Sequence, residues 1–375
     1  MNLETVLGAL QYTASPNYRS GDALGLDPNY GHILRMAQQA CDLQGVYTLR
    51  GSVYDPSQSD VPVIYVCRAD SEQKAREIHR KVWNQNVVPF LLVVSPGWVR
   101  LYPGFRYDDH AGDDPRLGAL RAIDDFGQVA AALAPIRRDA VDSSAVWKEW
   151  GSHVTPESRV DWRLLKNLRS LDDWLSENGL EDRALSHSMI GKFVYLRYLR
   201  QRNILSDAKL KEWDISYDEA FGQHARLSTF SELVQRIDEW LNGSVFPLSR
   251  TKIQEFGAER LRRVASVFQG GTADGQLPLF DIYDFSLIPI ETLSVIYEQF
   301  LHATHHPSAK SEGAARGAYY TPVPVVNFMV DRLDSHNPLR PGMRVLDPAC
   351  GSGAFLVQCY RKLIERRLAF GAREN

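Results

Sequence analysis

The sequence is poor in cysteine, has no long apolar run and carries no excess of positive charge. Its four cysteines contain no Cys-x-x-Cys pair, which predicts reduced thiols of a cytoplasmic protein at Cys41, Cys67, Cys350 and Cys359. No apolar stretch is long enough to cross a bilayer, and the N-terminus lacks the pattern of a signal peptide. The formal net charge is −3, so any contact with nucleic acid has to come from a local basic patch.

The composition is that of a folded, soluble chain. Hydrophobic residues make up 44% of the 375 residues, and charged residues make up 24%. A chain of this length is expected to divide into two or three domains. The sequence has no internal repeat and no low-complexity tract, so the division follows from changes in hydrophobic periodicity.

Residues 1–140 mix strand and helix patterns. Short apolar, β-rich runs at 62–67 and 89–94 predict buried strands, and alternation at 99–102 predicts a third strand beside them. Between the first two runs, residues 71–83 have helical periodicity and begin with a serine in a capping position. This order of elements predicts an α/β domain.

From about residue 145 the pattern becomes helical. Leucines recur at helical spacing from Leu164 to Leu175, and further helices are predicted at 189–202, 230–241, 252–268 and 290–302. Residues 145–302 are therefore predicted to form a helical connector domain. Residues 303–316 have no apolar period and predict a mobile loop. Five tryptophans are interpreted as core residues: Trp83, Trp147, Trp150, Trp162 and Trp174.

The most informative segment is 345–356, Val-Leu-Asp-Pro-Ala-Cys-Gly-Ser-Gly-Ala-Phe-Leu. Its start predicts an apolar strand that leads into Asp347, and its end predicts a helix over 353–368. The Gly-Ser-Gly turn between them lets the backbone approach a ligand closely, and the helix N-terminus favours an anionic group. The segment therefore has the layout that a nucleotide-like cofactor requires.

A second motif precedes the glycine turn. Residues 317–322 are Gly-Ala-Tyr-Tyr-Thr-Pro, and apolar residues predicted to share one helical face follow at Val325, Val326, Met329 and Val330. The chain between the two motifs has room for one helix, a turn at 341–342 and a strand. The coincidence of two motifs at a workable spacing argues against an ordinary tight turn before a core helix.

Together the two motifs resemble motif X and motif I of the N6-adenine DNA methyltransferases, in the order of the γ class. The similarity is greatest to the large enzymes of type I and type IIG restriction–modification and phage-defence systems. It is specific over about residues 286–360, looser over 145–285 and only suggestive before that. Residues 317–375 are therefore expected to be the start of a Rossmann-like domain that binds S-adenosylmethionine.

The resemblance implies a role for each matching residue. The expected cofactor-binding residues are Tyr320, Thr321, Pro322, Asp347, Ala349, Gly351 and Gly353. The first three are expected to close over the methionine end of the cofactor. The amides at the start of the 353–368 helix suit the methionine carboxylate, and the Asp347 carboxylate can accept from its ammonium group.

The family transfers a methyl group from the cofactor sulfonium to N6 of a flipped adenine, which an Asn/Asp-Pro-Pro-Tyr/Phe motif holds. No such motif occurs here, because Asn337-Pro338-Leu339 lacks the second proline and the aromatic residue and precedes motif I. The acid for the cofactor ribose, the catalytic loop and a target-recognition domain also have no counterpart. We therefore assign no catalytic residue. The expectation is an N-terminal part of a longer or split enzyme, inactive alone, with duplex DNA and other subunits as partners.

Two other functions stay open. Type IIG enzymes often carry a PD-(D/E)xK nuclease before the methyltransferase, and residues 1–140 are expected to resemble a degenerate form of that fold. The strand that should carry Glu-x-Lys has Tyr-Val-Cys-Arg at 65–68, and Asp55 or Asp60 alone would not hold magnesium. The other alternative is a non-catalytic DNA- or partner-binding subunit of a defence complex.

Basic residues in the helical region give a candidate DNA contact at Lys192, Arg197, Arg200 and Arg202. The competing interpretation is a solvated helix face, with Tyr195 and Tyr198 half in the core. Three histidines lie close together at His302, His305 and His306, but without a nearby cysteine or acid pair they predict no metal site.

Overall fold

The computed structural model describes residues 2–27, 30–49, 60–108, 118–269, 280–290, 293, 321, 323–350 and 353–371. They fall into two compact units. The first unit comprises Met1–Val160 and Tyr320–Asn375, and the second comprises Asp161–Tyr319. The predicted mixture of an α/β region and a helical region is confirmed at the level of fold class, while the domain boundaries drawn from the sequence stay a prediction.

One mixed sheet organises the first unit. Its strands lie side by side in chain order: β1 (Tyr18–Ser20), β2 (Leu43–Leu49), β3 (Val61–Arg68), β4 (Phe90–Val94), β5 (Val99–Pro103) and β6 (Arg121–Ile123). Neighbouring strands are antiparallel except β3 and β4, which are parallel. A parallel pair needs a crossover connection, because the chain has to return to the end at which the first strand began. The three strands predicted from the sequence are β3, β4 and β5, and they are confirmed.

The crossover is the helix α3 (Glu72–Gln85), which confirms the helix predicted over 71–83. Ser71 caps its start, because the Ser71 hydroxyl oxygen accepts from the amide of Lys74 at 3.2 Å. The helix ends at Asn86, whose backbone is left-handed with φ of 58°. Asparagine adopts that conformation more readily than most residues, so both ends of the crossover are encoded locally.

Helices cover both faces of the sheet. Alternate residues of β3 point to opposite faces, so that Ile64 and Val66 join one apolar cluster while Tyr65 and Cys67 join the other. The first cluster includes residues of α1 (Leu3–Ala9), α4 (Val129–Ala132), α5 (Arg138–Asp142) and α6 (Val146–Trp150). The second includes residues of α2 (Gly31–Cys41) and α3. Because both faces are buried, β3 and β4 have unbroken apolar sequences.

The described part of the second unit is built from helices. They are α7 (Val160–Glu177), α8 (Arg183–Gln201), α9 (Asp207–Glu212), α10 (Tyr217–Phe221), α11 (Leu227–Trp240), α12 (Arg250–Phe256) and α13 (Ala258–Phe268). The leucines from Leu164 to Leu175 are buried, as their helical spacing predicts. Phe193 lies in the core, where its ring stacks on Phe221 and Phe230 with centroids 4.6 Å and 5.4 Å away.

A buried carboxylate joins α7 to α8. Asp172 accepts hydrogen bonds from the Ser186 hydroxyl at 2.5 Å and from His187 Nε2 at 3.2 Å, and it also pairs with Arg183. Burial of Asp172 opposes its charge, but the hydrogen bonds from His187 and Ser186 outweigh that effect and lower the pKa of the carboxyl. The polar contact therefore fixes how the two helices meet without leaving an unpaired charge in the core.

Two expectations about the helical region are wrong. The helix predicted over 252–268 is two helices, because Gly257 turns the chain between them with φ of 88°. Trp147 and Trp162 are 37% and 48% exposed, whereas Trp83 and Trp150 are buried as expected. Large aromatic side chains are often only partly covered, so residue type alone does not place them in a core.

Two further helices belong to the first unit, α14 (Val323–His336) and α15 (Ala354–Gly371). Most of the helix predicted over 290–302, and the whole of the predicted loop 303–316, lie outside the described residues. The four cysteines all lie within them and remain thiols. Among the helices that are described, none combines the length and apolar character needed to span a bilayer.

Candidate functional site

The glycine turn before α15 is the centre of the candidate site. The Asp347 carboxylate accepts from the amide of Ala349 at 3.0 Å, and the amide of Gly353 donates to the Cys350 carbonyl at 2.7 Å. Gly353 has φ of 79°, which is the left-handed region that other residues adopt with strain. The predicted helix then begins at Ala354. The turn therefore places the Asp347 carboxylate close in the chain to a helix N-terminus.

The position that a side chain at Gly353 would take is unobstructed. A Cβ atom added to Gly353 would meet no atom within 4 Å, so the glycine is needed there for its backbone angle rather than to avoid a clash. Asp347 is half-buried, and Ala349 is exposed. Gly351 lies outside the described residues. An open approach, a carboxylate and the amides of a helix start together suit a ligand with one ammonium and one carboxylate group.

The second motif is described only in part. Thr321 is half-buried, while Tyr320 and Pro322 lie outside the described residues. Of the apolar residues that follow on α14, Val326 and Val330 are buried, but Val325 and Met329 are 45% and 44% exposed. The four positions are neighbours on the helix surface, as predicted, but only two of them are covered. Val326 and Val330 lie one turn apart in the covered part of this face, and Val325 and Met329 lie beside them in the exposed part.

Ion pairs hold α15 against α14. Arg366 pairs with Asp334 and donates to the Leu339 carbonyl at 2.8 Å, while Lys362 pairs with Asp331. The two acids lie three residues apart on α14, and the two bases lie four residues apart on α15, so each pair of charges occupies one helix face. No role was predicted for these residues from the sequence, although the matched spacing of acids and bases is a signal of such pairing.

The strand predicted before Asp347 does not form in the described structure. Val345 is 43% exposed and Leu346 is 85% exposed, and residues 343–347 have no strand hydrogen bonds. The expectation of a strand is wrong for a physical reason. An apolar strand is stable when neighbouring strands satisfy its backbone and helices cover its faces, and no described strand lies beside this segment.

Large apolar side chains before and after this segment in the chain are exposed. Several on α14, on α15 and before Asp347 are more than 40% exposed: Val325, Phe328, Met329, Leu333, Leu346 and Tyr360. We call these six residues the exposed apolar face. A concentration of large apolar side chains on the surface is typical of an interface with another segment or chain.

The segment that contains the glycine turn is similar in sequence to a known family. Residues 289–372 match the family model described as N-6 DNA Methylase. This segment is similar to the N-6 DNA methylase family. The match includes both the 317–322 motif and the glycine turn, so the predicted resemblance to N6-adenine DNA methyltransferases of restriction–modification type is confirmed over these residues.

Three curated relatives are methylase subunits of type I restriction enzymes. The MjaVII subunit of Methanocaldococcus jannaschii is 36% identical over 83 residues, which are 22% of this chain and 13% of that protein. The HindI subunit of Haemophilus influenzae is 38% identical over 71 residues, or 19% and 14%. The EcoEI subunit of Escherichia coli is 44% identical over 61 residues, or 16% and 10%. The chain thus spans 10–14% of the length of these relatives. No solved structure matches the chain.

The candidate DNA-contacting residues outside the methylase segment make contacts within their own unit. The Lys192 side chain is fully buried, with Nζ 3.1 Å from a carboxylate oxygen of Asp238. Burial lowers the pKa of Lys192, and Asp238 opposes that effect. Lys192 therefore cannot reach a DNA phosphate without leaving its partner, and it does not continue a basic surface with the three arginines.

The three arginines are half-buried and engaged to different degrees. Arg200 pairs with Asp207, and Arg202 donates to the carbonyls of Phe285 and Ile288 at 3.2 Å and 2.9 Å. Burial lowers the pKa of Arg197. DNA contact by Lys192, Arg197, Arg200 and Arg202 stays a prediction, but these contacts favour a structural role for Lys192 and Arg202.

Of the two acids considered for a nuclease, the structure describes Asp60. Asp60 pairs with Arg19, which also contacts Asp27 at 2.6 Å, so the carboxylate of Asp60 has a cationic partner within the protein. Asp55 lies outside the described residues, as do His302, His305 and His306. Within the part of the chain that is described, no three histidine, cysteine, aspartate or glutamate side chains cluster suitably for a metal.

Proposed function

We propose that this chain carries the cofactor-binding start of an adenine-specific (N6) DNA methyltransferase of a cytoplasmic restriction–modification or phage-defence system. The observation that supports this proposal is the N-6 DNA methylase match, which spans both motifs in the order expected of the γ class. The three relatives are type I methylase subunits, which favours the type I form of such a system. Duplex DNA and other subunits of the system would be its partners.

The residues present fit one end of S-adenosylmethionine. The Asp347 carboxylate would accept from the cofactor ammonium, and amides at the start of α15 would bind its carboxylate. Gly353 would give the cofactor access to the backbone, because nothing lies within 4 Å of the position of its absent Cβ. Tyr320, Thr321 and Pro322 would close over the methionine end, with Ala349 and Gly351 in the wall of the site. When bound, S-adenosylmethionine supplies an activated methyl group on its sulfonium.

Base recognition has to come from elsewhere. The sequence contains no Asn/Asp-Pro-Pro-aromatic motif, and that motif accepts hydrogen bonds from the adenine amine in this family. We therefore propose that the chain binds the cofactor but does not transfer a methyl group to a flipped adenine by itself. A polypeptide that carries the missing motif would complete the site.

Cofactor binding is tested by titration calorimetry of the chain with S-adenosylmethionine. We expect binding by the unaltered chain and at least about tenfold weaker binding by Asp347→Asn, because a charge-assisted hydrogen bond is worth about 1.5–3 kcal/mol. Asp214→Asn is the matched control, since Asp214 is exposed in the second unit and asparagine tolerates its left-handed backbone. Absence of binding by the unaltered chain, or equal binding by Asp347→Asn, would contradict the cofactor site.

Methyl transfer is tested separately with a radiolabelled methyl donor and duplex DNA. We expect no label in DNA with this chain alone, and label at adenine N6 when a polypeptide with the Asn-Pro-Pro-aromatic motif is added. Transfer by the chain alone would show that another group replaces the missing motif.

A second candidate function is a non-catalytic subunit that binds a partner through the exposed apolar face. The observation that favours it is the 68% exposure of Leu333 and the 85% exposure of Leu346. Co-purification with the polypeptide that completes the methylase should fall when both leucines are changed to glutamine. Ile204→Gln, at a residue 42% exposed in the second unit, is the matched control. Equal co-purification of all variants would remove this candidate.

We further propose that the sheet region is a nuclease-like module that contacts DNA or a partner without cleaving DNA. The contact of Asp60 with Arg19 supports this view, because it leaves that acid paired rather than open to a metal. Plasmid incubated with the chain and magnesium should stay intact. Cleavage that Asp60→Ala abolishes would instead establish a nuclease.

A further inference from the structure

The C-terminal helix α15 is attached to the sheet region by a two-point ion pair. Arg35 on α2 places Nη2 2.7 Å and Nη1 3.3 Å from the two carboxylate oxygens of Glu365 on α15. Both residues belong to the first unit. A guanidinium that meets a carboxylate through two nitrogens fixes orientation as well as distance.

The residues around this ion pair are closely packed. A Cβ added to Gly31 would lie 2.7 Å from the Gly25 carbonyl oxygen and 3.1 Å from a carboxylate oxygen of Glu365, so a larger residue would not fit there. The Arg35 guanidinium also donates to the Gly25 carbonyl. The side chains of Arg35 and Glu365 are 32% and 10% exposed, which shields the pair more than an ordinary surface ion pair.

The helix α15 is thus tied to two other elements. Arg366 and Lys362 pair with acids on α14, and Glu365 pairs with Arg35 on α2. Arg35 in turn donates to a carbonyl of the neighbouring 3₁₀ helix (Gly21–Leu26). Glu365 lies three turns after Ala354, about 16 Å along the axis at 1.5 Å per residue, so it does not touch the glycine turn. A helix transmits a shift of its body to its N-terminus, because its backbone hydrogen bonds make it stiff.

We propose that Arg35 and Glu365 are positioning residues for the cofactor site: the ion pair lets the sheet region set the place of α15, and so controls cofactor affinity. This inference rests on the proposed function of the glycine turn. The residues act through the helix and contact no reacting group.

The test combines hydrogen–deuterium exchange with cofactor titration on the full chain. Arg35→Glu and Glu365→Arg each place like charges together and should speed exchange of α15 amides about tenfold, equivalent to about 1.4 kcal/mol. Exchange of β3 and β4 amides should stay unchanged, which shows that the sheet has folded. The double variant Arg35→Glu with Glu365→Arg restores opposite charges and should recover much of the protection. Lys74→Glu is the control, because it breaks an exposed ion pair with Glu77 on α3.

The cofactor measurement shows whether the pair affects the site as well as the helix. Each single variant should bind S-adenosylmethionine about tenfold more weakly, and the charge-swapped variant should regain affinity. Unchanged exchange in both single variants, or failure of the swap to restore it, would overturn the ion-pair inference. Faster exchange with unchanged affinity would overturn the positioning role. Absence of binding by the unaltered chain contradicts the proposed cofactor site, while the exchange data still decide whether the pair holds α15.

Discussion

Two apolar segments with strand-like sequences differ in burial and in backbone structure in this protein. In β3, Tyr65 and Val66 are fully buried between paired strands. Before the glycine turn, Val345 and Leu346 are 43% and 85% exposed and form no strand. Both segments have the residue types that favour strands. The difference shows that neighbours, rather than propensity, determine whether such a segment becomes part of a sheet.

The same contrast extends to the helices around each segment. Residues of α1, α2 and α3 join the apolar clusters on the two faces of the sheet. The helices α14 and α15 are joined by ion pairs such as Arg366 with Asp334, and they leave large apolar side chains in water. The sheet therefore has a covered core, whereas α14 and α15 have a surface suited to further packing.

The largest expected effect comes from one substitution made in both regions. Leu92→Ala in β4 should lower the free energy of unfolding by about 4 kcal/mol, because strands on both sides prevent the cavity from collapsing. Leu346→Ala should change it by less than about 0.5 kcal/mol, because that side chain is already in water. Urea unfolding of both variants measures the difference. A large loss at Leu346 would show that its segment is packed in solution.

A somewhat smaller effect should follow acidification of the sheet region. His79 is buried, and its Nε2 lies 2.9 Å from the Pro103 carbonyl oxygen. Burial lowers the pKa of His79 from 6.5 to about 4. Hydrogen bonds to the carbonyls of Pro103 and Arg106 raise this pKa in part, and the charge of Arg76 lowers it further. As the pH falls below 6.5 the unfolded chain takes up a proton before the folded chain does. The contribution of His79 to the free energy of unfolding is therefore fully present above about pH 6.5. It is lost as the pH falls toward 4, and the total loss is about 3 kcal/mol.

The control for that experiment is His79→Gln, whose amide can still donate to the Pro103 carbonyl but does not titrate. Its unfolding free energy, measured by urea titration from pH 7 to pH 4, should depend less on pH than that of the unaltered chain. Equal pH dependence in the two proteins would assign the loss to other groups.

An effect smaller than those of Leu92→Ala and of acidification is expected at the glycine turn. Gly353→Ala puts a Cβ on a residue with φ of 79° and should cost about 1 kcal/mol, without a clash because the space is open. The loss should appear as faster hydrogen exchange at the start of α15 rather than as a lower melting temperature of the sheet. A change that spreads to the amides of β4 would mean that the turn and the sheet unfold together.

Much of the fold was predictable because its signals are local. The apolar runs of β3 and β4 are unbroken, since both faces of the sheet are covered, and the cap at Ser71 marks the start of the crossover. The glycine turn was predictable for the same reason, because the left-handed backbone of Gly353, with φ of 79°, depends on the type of that one residue. The two helices around Gly257 were missed, because a glycine inside a helical pattern is often tolerated.

Other features depend on contacts between distant parts of the chain. Nothing in the sequence pairs Arg35 with Glu365, which are far apart in the chain and meet only when α15 lies against α2. The burial of Lys192 could not be predicted from the sequence, because the basic residues of its helix have ordinary surface spacing. Lys192 is buried in the fold, where it pairs with Asp238 on α11.

By itself, the sequence indicated the resemblance of its C-terminal segment to N6-adenine DNA methyltransferases, and it indicated an α/β region and a helical region. Motifs and periodicities are properties of neighbouring residues, so they survive without a three-dimensional context. The tertiary structure alone decided which apolar segments are covered, which charges are paired, and that α15 contacts α2. Burial and ion pairing depend on which surfaces come into contact, and residues far apart in the chain come into contact only in the folded structure.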